Sequence, residues 1–352
     1  MFFNKYTSIA TILLIFCASC VEIDTFDNSK RGNFEALWKI MDERYCFFDE
    51  KGVDWNEIHD EYAAKIRENM SQEELFYVLD SMLQTLKDGH VNLISPFDLG
   101  RYWKWFEDYP ANFKSELVEE YLGYDYRIAG GLRYKILVED EDSIGYLRYA
   151  SFSSSFSKLN LDYVIDHFRS CKGIIIDVRN NGGGLLTNSE ELASRFFSKS
   201  DTVGYIQHKT GKGHNDFSKL VVQTITPSDR LRYPNPTIVL TNRSCFSATN
   251  DFVNSMRYAP NVRILGDRTG GGSGLPFSSE LPNGWSVRFS ACPSFDRDKN
   301  SIESGIEPCY KNKSGIEHCF KVNLSEEDAL SGRDSMIEAA RTIILSLYKK
   351  DE

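Results

Sequence analysis

The stretch Gly173-Ile174-Ile175-Ile176-Asp177-Val178-Arg179-Asn180-Asn181-Gly182-Gly183-Gly184 decides the fold. Its near-continuous apolar run reads as a parallel strand covered on both faces, which leaves no polar side to alternate with. The run passes directly into a turn of three glycines and then a helix from about Ser189 to Phe197. Two further strands repeat the pattern. Thr237-Ile238-Val239-Leu240-Thr241 leads to Ser247 and a helix to about Tyr258, and Val262-Arg263-Ile264-Leu265 ends in Gly266. Repeated strand, turn and helix with short connections predict an α/β fold with right-handed crossovers. Outward from this centre, Ile144 to Tyr149 is another strand, Leu159 to Ser170 a helix, and a helix from about Asp334 to Tyr348 closes the chain.

Upstream the period changes. Phe34, Leu37, Trp38 and Met41 recur at helical spacing, on one face of a helix. Asp54 followed by Glu57, and Ser71 followed by Glu74, mark two more helix starts of the capping-box kind. Lys87-Asp88-Gly89-His90 breaks the last of these helices before a strand at Val91 to Ile94. The 352 residues have room for about two domains. We expect a signal segment over residues 1–19, a tether over 20–32, an N-terminal helical domain over 33–94, a small β-rich subdomain or lid over 95–143, and an αβ core over 144–352. Hydrophobic residues make up 41% and there are only 10 prolines, which excludes a disordered or collagen-like chain. The formal net charge of −10 comes without a basic block. No nucleic-acid partner is expected, because phosphate neutralisation dominates that affinity.

The N-terminus reads as an address. Met1 to Cys20 carries one charged side chain, Lys5, then a mostly apolar run from Thr7 to Phe16, too short for an ordinary membrane span. It ends in Cys17-Ala18-Ser19-Cys20. This is a signal-peptide pattern that resembles a bacterial lipobox, in which Cys20 is lipidated and begins the mature chain. The expected location is the bacterial cell envelope, on the periplasmic or the outer-surface face, with the membrane as partner through the Cys20 anchor. An ordinary secretory signal cut nearby is the alternative. Cys46, Cys171, Cys245, Cys292, Cys309 and Cys319 remain, and their connectivity is open in the sequence. Cys309 and Cys319 flank a plausible hairpin and form the first pair to test. No cysteine and histidine spacing resembles a zinc site.

Four segments could carry chemistry. The glycine turn after Asp177 could present backbone N–H groups to a ligand, as an oxyanion hole or a phosphate cradle. It lacks the endings of the nucleotide-binding loops, and a plain strand-end turn remains open. Ser247 falls between a strand and a helix, where it could be a nucleophile beside free N–H groups or simply an N-cap. His90 lies between helix and strand, structural or catalytic. Glu303, in Ser301-Ile302-Glu303-Ser304-Gly305-Ile306-Glu307-Pro308, could belong to a solvated acidic turn.

Taken together and in order, these segments resemble the C-terminal processing (tail-specific) serine peptidase family, including the tricorn core protease. Asp177 to Gly184 is similar to the family's DLRGNxGG stretch, Ser247-Ala248-Thr249-Asn250 to SAxE, and Gly266 to Gly271 to GxxTxG. Glu303 to Pro308 is similar to ExGVxP, and Leu86 to His90 to LxDgH. The resemblance implies a crotonase/ClpP-like αβ core that hydrolyses peptide bonds in peptides or near protein C-termini, with no metal or organic cofactor. It implies Ser247 as nucleophile, His90 as general base, Glu303 orienting the histidine side, and Ala248 with Gly182 or Gly183 as the oxyanion hole. Many members use a lysine base in a TFGKG segment. Here that position is Gly272, so no lysine is expected in a catalytic role.

The tricorn-like branch uses a Ser-His pair, of which Gly89-His90 keeps only the histidine, and the SAxE glutamate is Asn250. About 50 residues separate His90 from the core strand, too few for the usual PDZ domain. A histidine base of ordinary pKa, about 6.5, would give activity rising through roughly pH 6 to 7. The rival reading is a catalytically inactive, peptide-binding cell-envelope lipoprotein on the same fold. A crotonase-type acyl-group enzyme ranks behind it, for want of an acyl-CoA signature.

Overall fold

The computed structural model describes residues 25–311 and 317–351. The signal segment over residues 1–19 and the lipidation expectation at Cys20 lie outside the described residues. Among the described residues, no helix is long and apolar enough to cross a membrane.

The chain opens with helices α1 (Lys30–Arg44), α2 (Phe48–Lys51), α3 (Trp55–Ala63) and α4 (Gln72–Gln84). Asp54 caps α3 through the Asn56 and Glu57 amides, and Ser71 with Glu74 forms a reciprocal capping box on α4. These contacts satisfy N–H groups that a helix start leaves free. The apolar faces of the helices, with Phe34, Leu37, Met41, Phe76 and Leu79, pack on Val287 and Phe289 of a strand far along the chain. That strand belongs to an antiparallel sheet in the order β11 (Leu275–Glu280), β12 (Ser286–Cys292), β1 (Asn92–Ile94) and β2 (Leu99–Arg101). The helical region is therefore closed by C-terminal strands.

Two short helices follow, α5 (Lys104–Glu107) and α6 (Ser115–Leu122), then strands β3 (Arg127–Ala129), β4 (Leu132–Glu139) and β5 (Asp142–Tyr149). After helix α7 (Lys158–His167) come β6 (Ile174–Asp177) and α8 (Leu186–Ala193). Strands β7 (Asp201–Ile206), β8 (Val221–Ile225) and β9 (Thr237–Thr241) precede α9 (Ala248–Met256) and β10 (Val262–Gly266). The main sheet has the order β10-β9-β6-β5-β4-β3, parallel from β10 to β5 and antiparallel beyond. Side chains alternate between its faces as strand geometry requires. Ile174, Ile176 and Val239 enter one core with Val164, Leu192 and Phe252, while Ile175, Ile238 and Leu240 enter the other. The second core is covered by α11 (Ser335–Asp351), whose Met336, Ile337, Ala340 and Ile344 form a buried stripe.

The expectation of a small β-rich subdomain or lid over residues 95–143 meets a different arrangement. This segment holds two helices, and β3 and β4 extend the main sheet through β4–β5 pairing over eight residues, Leu132 to Glu139. Leu132 and Leu137 are buried in the two cores, so the strand gains more from the sheet than from standing apart. Strand β13 (Ser294–Asp296) pairs with β7, α10 (Glu326–Leu330) precedes α11, and β14 (Cys309–Lys311) pairs with β15 (Glu317–Cys319). A disulfide joins Cys309 to Cys319 across that hairpin, and Cys46, Cys171, Cys245 and Cys292 are unbridged.

Candidate active site

Because β6 and β9 are parallel neighbours, with Asp177 opposite Leu240, the glycine turn and the Ser247 segment leave the sheet at the same edge. Ligand sites in such sheets lie beyond the carboxyl ends of the strands. Asn181 ties the two segments together. Its carbonyl accepts from the Phe246 amide at 3.1 Å, and its side chain bridges Tyr149, Phe152 and Gly183. Ser247 is held at φ +58°, a conformation disfavoured for a residue with a side chain. It makes no side-chain cap on α9, and its amide donates to the Gly271 carbonyl at 2.9 Å. The N-cap alternative for Ser247 is not taken. Its Oγ instead lies 3.0 Å from His90 Nε2.

His90 arrives from the helical region, where its amide donates to Asp88 Oδ1 at 2.8 Å. Asp88 Oδ2 accepts from Tyr45 and Ser290, which fixes the turn. The ring is 2% exposed, and Nδ1 has no hydrogen-bond partner of ordinary geometry. Burial pulls its pKa down to about 4; Asp88 and the Gly274 carbonyl oppose this, while Arg288 and Lys51 add to it. The sequence-based value of about 6.5 assumed a solvated ring, and this ring is not solvated.

A serine at position 89, as in the tricorn-like pair, would force two packed rings to shift. A Cβ there would lie 2.6 Å from Trp105 Nε1 and 2.9 Å from Phe246 Cζ, and these rings stack at 4.2 Å. Gly272, at the place of the absent lysine, has φ +75° and its Cβ would lie 2.3 Å from Phe246 Cζ.

Of the expected oxyanion donors, the Gly183 amide is engaged by Asn181 Oδ1 at 3.0 Å. The amides of Ala248 and Gly182 meet no protein acceptor among the described residues. Gly183 still matters by position: at φ +100°, a Cβ there would lie 2.8 Å from Ser247 Cβ and 3.0 Å from the Ala248 nitrogen. Only glycine lets the turn approach the serine this closely.

Glu303 does not bond to His90. Its Oε1 accepts from Lys51 Nζ at 3.0 Å, and its Oε2 from the Ser273 amide at 2.8 Å. Burial, with Asp88 adding to it, pushes this carboxyl up to about 7, against Lys51 and the Ser273 bond. Burial alone would lower the Lys51 pKa, but its partner Glu303, with Asp88 and Glu50 nearby, raises it. Lys51 lies on α2 in a stretch with no motif, and sequence reasoning missed it. Asn250 donates to the Ile302 carbonyl and accepts from Thr269 Oγ1 at 2.6 Å, which ties α9 to the loop carrying Glu303. His90, Ser247, Ala248, Asn250 and Ser273 border a cleft of about 170 Å³, walled also by Leu186, Ile206, Leu275 and Ile302.

A half-buried serine in hydrogen-bond contact with a buried histidine, with free amides beside the serine, defines a site of the serine-hydrolase kind. Residues 143–311 match peptidase family S41, and residues 26–84 match the tricorn protease C1 domain. A crystal structure from Parabacteroides merdae, described as a candidate peptidase, is 55% identical, covers 91% of this chain and 98% of its own, and superposes with a TM-score of 0.84. The chain belongs to peptidase family S41, a family of serine peptidases. The carboxy-terminal processing protease CtpA of Bacillus subtilis is 26% identical over 174 residues, 49% of this chain and 35% of that protein. The chain thus spans about a third of the length of the curated relatives it matches. Mature CPAF, 13% identical, shares the fold over 92% of this chain and 98% of its own, with a TM-score of 0.68.

Proposed function

We propose that this chain is a serine peptidase that cleaves peptides, or proteins near their C-termini, with Ser247 as nucleophile and His90 as general base. The 3.0 Å contact between Ser247 Oγ and His90 Nε2 carries this reading. His90 Nε2 takes the hydroxyl proton as Oγ attacks the scissile carbonyl carbon, then returns it to the leaving amine. The developing oxyanion is met by the Ala248 amide and by the glycine turn, with Gly182 the donor left free and Gly183 the residue that lets the turn close in. A water repeats the sequence to release the acyl group. Glu303 acts at one remove: paired with Lys51, it holds the Ser273 amide, next to Gly274 whose carbonyl acts on His90. The apolar run and the Ala18-Ser19-Cys20 ending support a lipid anchor at Cys20 and a place in the cell envelope.

A serine-directed covalent probe tests the reaction. Wild type should be labelled and Ser247→Ala should not. Absence of labelling in folded wild type would favour the inactive peptide-binding reading. Cys20→Ser, which should leave the membrane fraction, tests the anchor.

A further inference from the structure

We propose that Arg288 forms a carboxylate-binding subsite in the cleft beside Ser247 and His90, selecting peptides that carry a carboxylate close to the scissile bond. This deepens the peptidase reading and rests on it.

Arg288 sits in the middle of β12, opposite Asn92 of β1 and Ser278 of β11. Its neighbours Val287 and Phe289 point into the helical core, so alternation sends Arg288 to the opposite face, where it lines the cleft. Its guanidinium makes one hydrogen bond among the described residues, a long 3.5 Å contact from Nη1 to Asn92 Oδ1. No described carboxylate comes within ion-pair distance of it. Other arginines of the interior are engaged: Arg243, which also lacks a carboxylate, donates to the Thr269 and Trp105 carbonyls. Arg148 and Arg179 pair with Asp177, Arg195 with Asp162, and Arg257 with Asp296.

Removing a cation from water without a counter-ion or good acceptors is costly, and Arg288, with one long hydrogen bond, is left open at the reacting edge. The other charged group of the cleft, Asp251, is engaged by Ser189 at 3.3 Å and does not neutralise Arg288. Leu186, Ile206, Leu275 and Ile302 supply an apolar wall for side chains, so the guanidinium is the cleft's one unpaired cation among the described residues. A planar guanidinium with free N–H groups matches a carboxylate in a two-point contact. In a peptide, that carboxylate is either the C-terminal α-carboxylate or an Asp or Glu side chain.

The test measures binding to Ser247→Ala, which removes turnover from the readout. Three N-terminally labelled peptides of one sequence are compared by fluorescence anisotropy: the free acid, its C-terminal amide, and an amide with glutamate at the last position. The free acid, the glutamate amide or both should bind at least about tenfold more tightly than the plain amide. Whichever binds identifies the source of the carboxylate. In Ser247→Ala/Arg288→Gln the preference should vanish, and Arg288→Lys should keep part of it. Equal binding of all three peptides to Ser247→Ala, or a preference that survives Arg288→Gln, overturns the proposal. If Arg288→Gln does not fold, the three-peptide comparison and Arg288→Lys still decide. Probe labelling of Ser247 in wild type is read separately, so failure of the peptidase reading is distinguishable from failure of the subsite.

Discussion

Asp177, Asp334, Arg179 and Arg148 form one buried cluster of charge, two carboxylates with two guanidiniums, at the end of the main sheet; Asp88, Lys51, Glu303 and His90 form another, where the helical region meets the reacting edge. In the first, Arg179 Nε and Nη2 donate to Asp177 and Nη1 to Asp334, whose Oδ1 also accepts the Met336 and Ile337 amides. Burial would raise the Asp177 pKa, but Arg179 and Arg148 outweigh it and bring the carboxyl down to about 2. In the second, Lys51 pairs with Glu303 while Asp88 stands nearby, Glu303 is pushed up to about 7 and His90 down to about 4. His90 Nδ1 has no partner of ordinary geometry. A cluster whose charges are matched holds one geometry and one protonation state. A cluster left out of balance shifts the protonation of its members, as the proposed proton transfer at Ser247 would use.

The sharpest way to break this division is to remove one member from each cluster. His90→Ala should lower kcat/KM by about 10²–10⁴-fold while the urea unfolding midpoint stays close to wild type. Asp334→Ala should do the reverse. It leaves part of a buried guanidinium uncompensated, at a cost of about 3–5 kcal/mol in urea unfolding, while the molecules that remain folded keep most of their turnover. Comparable losses of stability in both variants would mean the two clusters do the same work. Gly272→Lys probes the seam between them. Its φ of +75° and the nearby Phe246 ring predict a loss of about 1–3 kcal/mol with no gain in rate. A faster enzyme would show that a lysine base can be accommodated.

The first cluster was half legible in the sequence and the second hardly at all. Asp177 and Arg179 adjoin a strand of isoleucines, so their burial followed from the strand. Asp334 lies 155 residues further on and only the fold brings it in. Ser247 was legible as a residue between strand and helix, but the N-cap alternative could be set aside only with its φ of +58° in hand. His90 was a candidate through its motif, whereas its lowered pKa depends on burial and on the charges of Arg288 and Lys51, which only the fold brings near. Lys51 sits in Phe48-Asp49-Glu50-Lys51, which reads as an ordinary charged helix end. Glu303 was placed beside the histidine by resemblance alone, and its bond to Lys51 spans 252 residues. Strands β3 and β4 were misjudged as an insert because sheet membership is a long-range property that strand propensity does not encode.

The smallest effect to be measured is the position of the acidic limb of activity, and it sharpens the comparison most. His90 must be neutral to accept the Ser247 proton. With its pKa depressed by burial to about 4, the neutral form persists well below pH 6.5, so kcat/KM should be flat through pH 6 to 7 and fall only as pH approaches about 4. The same depression affects stability. The unfolded chain takes up this proton near 6.5 and the folded chain does not until about 4, so folding stability should decline as pH falls through that window, and rates must be scaled to the folded fraction. Lys51 is one of the cations that disfavour a charged His90, and Asp88 opposes it. Lys51→Met should therefore move the acidic limb upward, toward the ordinary histidine value, and Lys51→Arg should leave it near that of wild type. A wild-type limb already at pH 6.5 would mean that water reaches His90 in the working enzyme. An unmoved limb in Lys51→Met would confine Lys51 to bracing Glu303 and the Ser273 amide, with no electrostatic hold on the base.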